Sequence, residues 1–318
     1  MEARFLDSLR NYRVLTSKEV VCRQFESYMR RTIRAEVDRM QVPKPIKKVL
    51  RPIWRGSHNL LNRLLDLYDL LRGKKNPLVP PRHMMFVGDG DYEKTGNEFL
   101  EYFKDLGKLK PSDRILDVGC GIGRISVPLT KYLSEEGAYY GFDIVRMGID
   151  WCNENIASKY PNFHYHHSNI YNKMYNPKGK ERSSEYRFIY ESNFFDFVFL
   201  TSVFTHMLAS DVNRYLAEIA RVMKDGGRCL ISCFLMNEEA DALIKGGGST
   251  QRLIYPIDDN SFTKDKNTPE SAIGYREEYF KMICNDNSLR IDGEIHYGKW
   301  CGRKEFMSYQ DIVIAQKY

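Results

Sequence analysis

From residue 92 onward, short apolar runs alternate with longer stretches in which apolar positions recur every three or four residues. The runs "RILDVG" (114–119), "AYYGFDI" (138–144), "FHYHHSN" (163–169), "FDFVFLT" (195–201) and "RCLISCFL" (228–235) read as strands. Helical spacing fills the gaps at 92–107, 123–135, 146–160 and 208–223. Apolar strands separated by amphipathic helices predict an α/β fold with a parallel sheet covered on both faces. Two later β-rich stretches follow, at 290–297 and 308–316. The final strand, in "SYQDIVIAQKY", has no crossover helix after it and is expected to run antiparallel beside its neighbour. Segments 172–193 and 236–275 read as irregular. The second, with Gly246 to Gly248, is long and polar for a connector and is expected to form a lid or acceptor-site wall.

The first part of the chain has a different pattern. Residues 17–40 and 44–72 read as helices, the second with an apolar stripe from Ile46 to Leu71, a kink at Pro52 and a stop at Gly73. The breakers in "NPLVPPRHMM" mark a boundary, giving an N-terminal extension at 1–82 and a larger domain at 83–318. Charge follows the same division. Residues 1–85 carry 19 Lys and Arg against 8 Asp and Glu, whereas the whole chain of 318 residues has a net charge of only +6. The basic helices at 17–72 are candidates for packing on the larger domain or a second copy, or for an anionic membrane surface, with nucleic acid as a lesser alternative.

Hydrophobic content of 42% and charged content of 28% are ordinary for a globular protein. No apolar run reaches the roughly 18–20 residues of a transmembrane helix, and "MEARFLDSLR" lacks the apolar core of a secretory signal. The 7 cysteines are scattered and form no CxxC, which points to reduced thiols, a cytoplasmic setting and no zinc site.

The chemistry centres on "ILDVGCGIGR" (115–124). A strand ending at glycines presents backbone N–H groups to a ligand. A dinucleotide site wants G-x-G-x-x-G, but here the third glycine, Gly123, comes one residue early and Arg124 takes its place. Asp117 also stands two residues before Gly119, where a dinucleotide site has an apolar residue.

The D-x-G-x-G-x-G spacing instead resembles the first motif of class I S-adenosylmethionine-dependent methyltransferases. "YYGFDI" supplies Asp143 at the end of the second strand. "HSNIY" stands where the family meets adenine. "FDFVFLTSVFTHM" and "EIARVMKDGGRCLIS" resemble the later motifs. The likeness covers about residues 84–318. It implies a Rossmann-like, seven-stranded, mostly parallel sheet with an antiparallel last strand and helices on both faces. It also implies S-adenosylmethionine as cofactor and a set of contacts to it: Asp117, Gly119, Cys120, Gly121, Gly123, Asp143, Ile144, Asn169, Ile170, Thr201 and Ser202. The substrate end looks like a bacterial subgroup often found beside glycan-biosynthesis functions.

Methyl transfer to a hydroxyl needs alignment, exclusion of water and removal of a proton. His206, just past the fourth strand, is the candidate base; the competing reading is a histidine bonded to nearby backbone. Tyr275, His83 and His296 are the next candidates. His164 and His166 share a strand face, but no acid or Cys completes a ligand set, so no metal is expected. The family's Asp/Asn-Pro-Pro-Tyr/Phe motif for base amines is absent, with "LTSV" in its place, and so is the Pro-Cys pair of cytosine enzymes. The chain therefore reads as an O-methyltransferase of a small molecule or glycan. The alternatives are an RNA methyltransferase that uses the basic extension and a non-catalytic protein that retains the cofactor pocket.

Overall fold

The computed structural model describes Asn62, Asp66, residues 76–86, Gly88 and residues 90–318. The chain divides into two units, Met1–Leu65 and Asp66–Tyr318, and the fold below is that of the second. The helices expected at 17–40 and 44–72, and the partners suggested for them, lie almost wholly outside the described residues.

The chain runs through α1 (Tyr92–Asp105), β1 (Arg114–Val118), α2 (Ser126–Tyr132), β2 (Ala138–Asp143), α3 (Arg146–Cys152, continued by a π turn at Asn153–Ala157), β3 (Phe163–His167), β4 (Phe195–Leu200) and α4 (Ala209–Val222). There follow β5 (Met223–Cys233), β6 (Leu235–Met236), α5 (Glu238–Lys245), β7 (Tyr255–Pro256), β8 (Ser261–Thr263), β9 (Ile273–Arg276), α6 (Glu277–Asp286), β10 (Leu289–Ile291) and β11 (Asp311–Lys317). Seven strands form one sheet in the order β10-β11-β5-β4-β1-β2-β3. β1 to β5 are mutually parallel, and β11 runs antiparallel between β5 and β10, as the C-terminal pattern predicts.

Strand alternation sends successive side chains to opposite faces. Leu116, Val118, Val198 and Leu200 pack on the face covered by Val212, Leu216 and Ile219 of α4 and Phe280 of α6. Ile115, Phe197 and Phe199 pack on the other, against Phe103 of α1 and Leu129 of α2. Phe103 lies 5.3 and 4.4 Å from the Phe197 and Phe199 ring centres. Both faces are apolar because both are covered, which is why these strands read as near-continuous hydrophobic runs.

Three expectations change. The helix expected from residue 123 starts at Ser126, because Gly123 takes a φ of +80° that no helix accommodates. The fifth strand starts at Met223 instead of 228. Its pairing with β4 jumps from Phe195↔Met223 to Phe197↔Arg228, which loops out residues 224–227. Segment 236–275 is not irregular: it holds α5, capped by Asn237 accepting from the Ala240 N–H, and three short strands. These join β6 in a second sheet of order β6-β9-β8-β7. Its own small core contains Phe234, Ile244, Leu253 and Trp300.

Segment 172–193 has little regular structure and is fastened by polar contacts. Glu218 on α4 is buried. It accepts from the Phe188 N–H at 2.8 Å and pairs with Arg221 at 2.6 Å and Arg214 at 3.3 Å. Arg221 also donates to the carbonyls of Phe188 and Tyr190. Among the described residues no helix is long and apolar enough to cross a membrane.

Burial alone would raise the Glu218 carboxyl, but its bonds from Arg221 and Phe188 outweigh that and hold it below its ordinary value near 4.5. Its stabilising contribution is therefore present above that value and lost as pH falls through the lower folded one. Glu218→Ala is expected to reduce unfolding free energy by about 2–3 kcal/mol, since buried donors lose their acceptor. Urea titrations at neutral and acid pH check this. The variant and wild type should converge at acid pH.

Candidate functional site

Parallel strands end at the same edge of the sheet, and in such folds ligands bind beyond those carboxyl ends. The turns after β1, β2, β3 and β4 therefore bring residues 119–125, 143–145, 168–170 and 201–207 to one edge. This accounts for most of the residues expected from sequence.

The glycine turn is held from below. Gly119 and Cys120 both donate N–H to the Phe142 carbonyl, at 2.9 and 3.1 Å. Gly119, Gly121 and Gly123 have φ of +83°, +59° and +80°, a region L side chains rarely adopt. Gly119 has a second reason: a Cβ there would overlap Val203 Cγ2. The turn after β4 is thus seated directly on the turn after β1. The Cys120 thiol is buried and pushed up by that burial, so it is no ready thiolate.

Asp143 is buried, and it fastens β2 to the glycine turn. Its Oδ2 accepts from the Gly121 N–H at 2.7 Å and its Oδ1 from the Val145 N–H at 2.8 Å. Each oxygen retains a lone pair for a further donor. Asp117 lies beneath, 1% exposed. Its Oδ2 accepts from the Tyr139 hydroxyl at 2.7 Å, while Oδ1 is buried without a hydrogen-bond partner among the described residues. A buried carboxylate oxygen left open in this way is costly, and a cationic or donor group of a ligand would satisfy it. This donor and acceptor set fits the cofactor that the resemblance implies: an ammonium for Asp117 and vicinal ribose hydroxyls for Asp143.

On the β3 side, the Asn169 carbonyl accepts from the Lys180 and Glu181 N–H groups, and the buried Ile170 bridges to Glu181. Segment 176–181 therefore backs the place expected for an adenine ring. Ile144 is half-buried, with its carbonyl 3.2 Å from His167 Nε2. Thr201 is half-buried and Ser202 exposed.

His206 ends a 3₁₀ turn, Phe204–His206. Its Nδ1 lies 2.7 Å from the Glu270 carbonyl. A carbonyl only accepts, so Nδ1 carries the hydrogen and the neutral ring keeps its lone pair on Nε2. Nε2 has no hydrogen-bond partner among the described residues. The Tyr175 ring meets the imidazole edge to face at 5.5 Å. Burial lowers His206 below its ordinary value near 6.5; the Glu270 bond opposes this, and Lys264 adds to it. The backbone bond expected of a structural histidine is present, and it is also what fixes the tautomer a base would need.

Of the other candidate bases, Tyr275 is buried and its hydroxyl is committed to the Phe204 and Met207 carbonyls, at 2.6 and 2.5 Å. It is a brace for the His206 turn. The backbone of His296 pairs with Ile312, and His83 sits exposed on the turn Arg82–Met84. Sequence reasoning missed Tyr175, the Glu270 carbonyl, Ser232 and Gln310. Each reaches this edge through a contact far away in sequence.

A family model described as "Methyltransferase domain" matches residues 109–281. An uncharacterized methyltransferase of Schizosaccharomyces pombe is 30% identical over 138 residues, covering 43% of this chain and 44% of that protein. A ribosomal protein L11 methyltransferase of Caldanaerobacter subterraneus is 28% identical over 122 residues, 38% of this chain and 37% of that protein. The match thus spans less than half the length of either relative. A Pyrococcus horikoshii protein of known structure shares the fold, with a TM-score of 0.50 at 13% identity over 74% of this chain and 95% of that one.

Burial pushes Asp117 from 3.8 up to about 8; the Tyr139 bond opposes the shift and Asp143 adds to it. In between, the folded state binds the extra proton, so stability falls as pH rises through that window. Asp117→Asn removes the titration. Urea midpoints are expected to fall more steeply with pH in the wild type than in the variant. Equal slopes would mean that Asp117 is ionised throughout.

Proposed function

This chain belongs to the methyltransferase-domain family, and we propose that it is an S-adenosylmethionine-dependent enzyme that methylates a hydroxyl of a small molecule or glycan, with His206 as the base. The observation that carries this reading is the Nδ1 bond from His206 to the Glu270 carbonyl. It holds a neutral imidazole in one tautomer at the edge where β4 ends.

S-adenosylmethionine supplies an already activated methyl group on a sulfonium. Asp143 would hold its ribose hydroxyls, Asp117 its amino group, and the backbone of residues 119–121 its methionine end, with Asn169 and Ile170 at the adenine. His206 Nε2 takes the acceptor's proton, while Nδ1–H stays on the Glu270 carbonyl. Because Glu270 lies within 236–275, that segment forms one wall of the acceptor site, and Tyr175 supplies apolar surface beside it. A half-buried, neutral imidazole suits a hydroxyl acceptor, which must lose a proton during transfer.

Feeding labelled methionine to cells with and without the gene, then following the label, tests the acceptor class. Gene-dependent label in a methyl ether of a small molecule or glycan supports the reading; label confined to RNA or to amines rejects it.

Two variants test the residue roles. Asp143→Ala removes a charged acceptor, a loss of about 1.5–3 kcal/mol per hydrogen bond. Calorimetry with S-adenosylhomocysteine should show that loss, and unchanged affinity would remove Asp143 from the ribose site. His206→Ala is expected to slow transfer by about 10²–10⁴-fold with cofactor affinity near wild type. Because His206 is lowered from 6.5, the wild-type rate should hold as pH falls through that value and decline only below it. A decline that begins above it would point to another base.

A further inference from the structure

Ser202 stands out on the edge that carries His206. Its φ is +62°, one of four positive values among the described non-glycine residues. This region is disfavoured for L residues and persists only where surrounding contacts impose it. Here the contacts form a closed ring. The Ser202 N–H donates to Ser232 Oγ at 2.9 Å. The hydroxyl proton of Ser232 is then free to donate elsewhere, and it goes to Gln310 Oε1 at 2.6 Å. That turns the other half of the Gln310 amide, Nε2, toward Ser202 Oγ, to which it donates at 2.8 Å. The Ser202 carbonyl is taken in turn by the Thr205 hydroxyl at 2.9 Å.

The three members come from separate parts of the chain. Ser232 is buried on β5, where it pairs with Ile312 of β11. Gln310 immediately precedes β11. Because β11 runs antiparallel, its first residues arrive at the edge where the parallel strands end. A parallel strand in that place would bring its last residues there instead. A primary amide is suited to the position because it offers an acceptor to Ser232 and a donor to Ser202 at once.

We propose that Gln310 is a positioning residue for methyl transfer: it holds Ser202 in the left-handed conformation and so aims the turn that carries His206. Val203, the next residue, lies against Gly119. Ser202 is therefore the point where the chain leaves β4 and commits to that seat. The Tyr275 hydroxyl bonds the Phe204 and Met207 carbonyls from the opposite side. The link to catalysis rests on the reading of His206 as base. The link from Gln310 to the turn does not, and the two are tested by different measurements.

Four proteins are compared: wild type, Gln310→Leu, Ser202→Gly and the double variant. Glycine adopts positive φ freely, so Ser202→Gly removes the need for the clamp. Gln310→Leu is expected to raise amide hydrogen exchange in segment 202–207 about tenfold, the population shift that the left-handed penalty alone produces. It should also move the His206 ring nitrogen resonances toward a mixture of tautomers, with exchange elsewhere little changed and a modest fall in melting temperature, in both backgrounds alike, from the buried Ser232 hydroxyl that loses its acceptor. In the Ser202→Gly background the same substitution should change exchange in 202–207 by less than about twofold, because the sites act through one another. Unchanged exchange and unmoved His206 resonances in Gln310→Leu would overturn the proposal. So would an equal rise in both backgrounds, since the clamp would then not act through Ser202. Failure of His206→Ala to slow transfer would reject the base and leave the clamp standing.

Discussion

The contact of Val203 with Gly119 is the constraint on which the functional edge depends. β1 and β4 are neighbours in the sheet and run parallel, so the chain leaves both at the same place. Two turns compete there for one volume. A glycine without a side chain, held at φ +83°, lets the second turn close over the first. Asp143 fixes the same glycine turn from the other side through the Gly121 N–H. The edge is thus set at the level of the backbone, and side chains such as His206 inherit their positions from it.

Buried polar groups do most of the fastening around this edge. Asp311 is fully buried at the start of β11. It accepts from the Leu235 and Gly298 N–H groups and from the Trp300 indole, and it pairs with Arg303 at 3.3 Å. One carboxylate thereby ties the start of β6, the loop at 298–303 and the first residue of β11 into a single node. Such a network is stabilising only when every member is satisfied, and here its donors come from backbone, indole and guanidinium together. Gln310 stands next to that node, which limits where its amide can point.

These features suit a reaction in which the cofactor brings the reactive group ready-made. The protein has to align two partners, exclude water and accept a proton, and alignment is the largest of these tasks. On the reading proposed for His206, a turn carrying a histidine of defined tautomer would meet the last requirement without a charged base in the pocket. The connection between β8 and β9 of the second sheet meets His206 through the Glu270 carbonyl, and that contact fixes the tautomer of the ring.

The sequence by itself determined the sheet, its order of elements and the glycine turn at its edge. Strands buried on both faces must be apolar throughout, and the run "ILDVGCG" must carry glycines because its backbone needs positive φ; both demands are local and therefore visible. The helix Glu238–Lys245 was also written locally, in an asparagine cap followed by acids, but the glycines and polar residues around it hid the signal. What only the tertiary structure decided is how distant segments meet. Glu270 reaches His206 across 64 residues and Gln310 reaches Ser202 across 108. Neither contact has a periodicity or a motif to betray it. A histidine bonded to backbone and a histidine poised as a base look alike in sequence, because tautomer and burial are set by the carbonyl that folding brings to the ring.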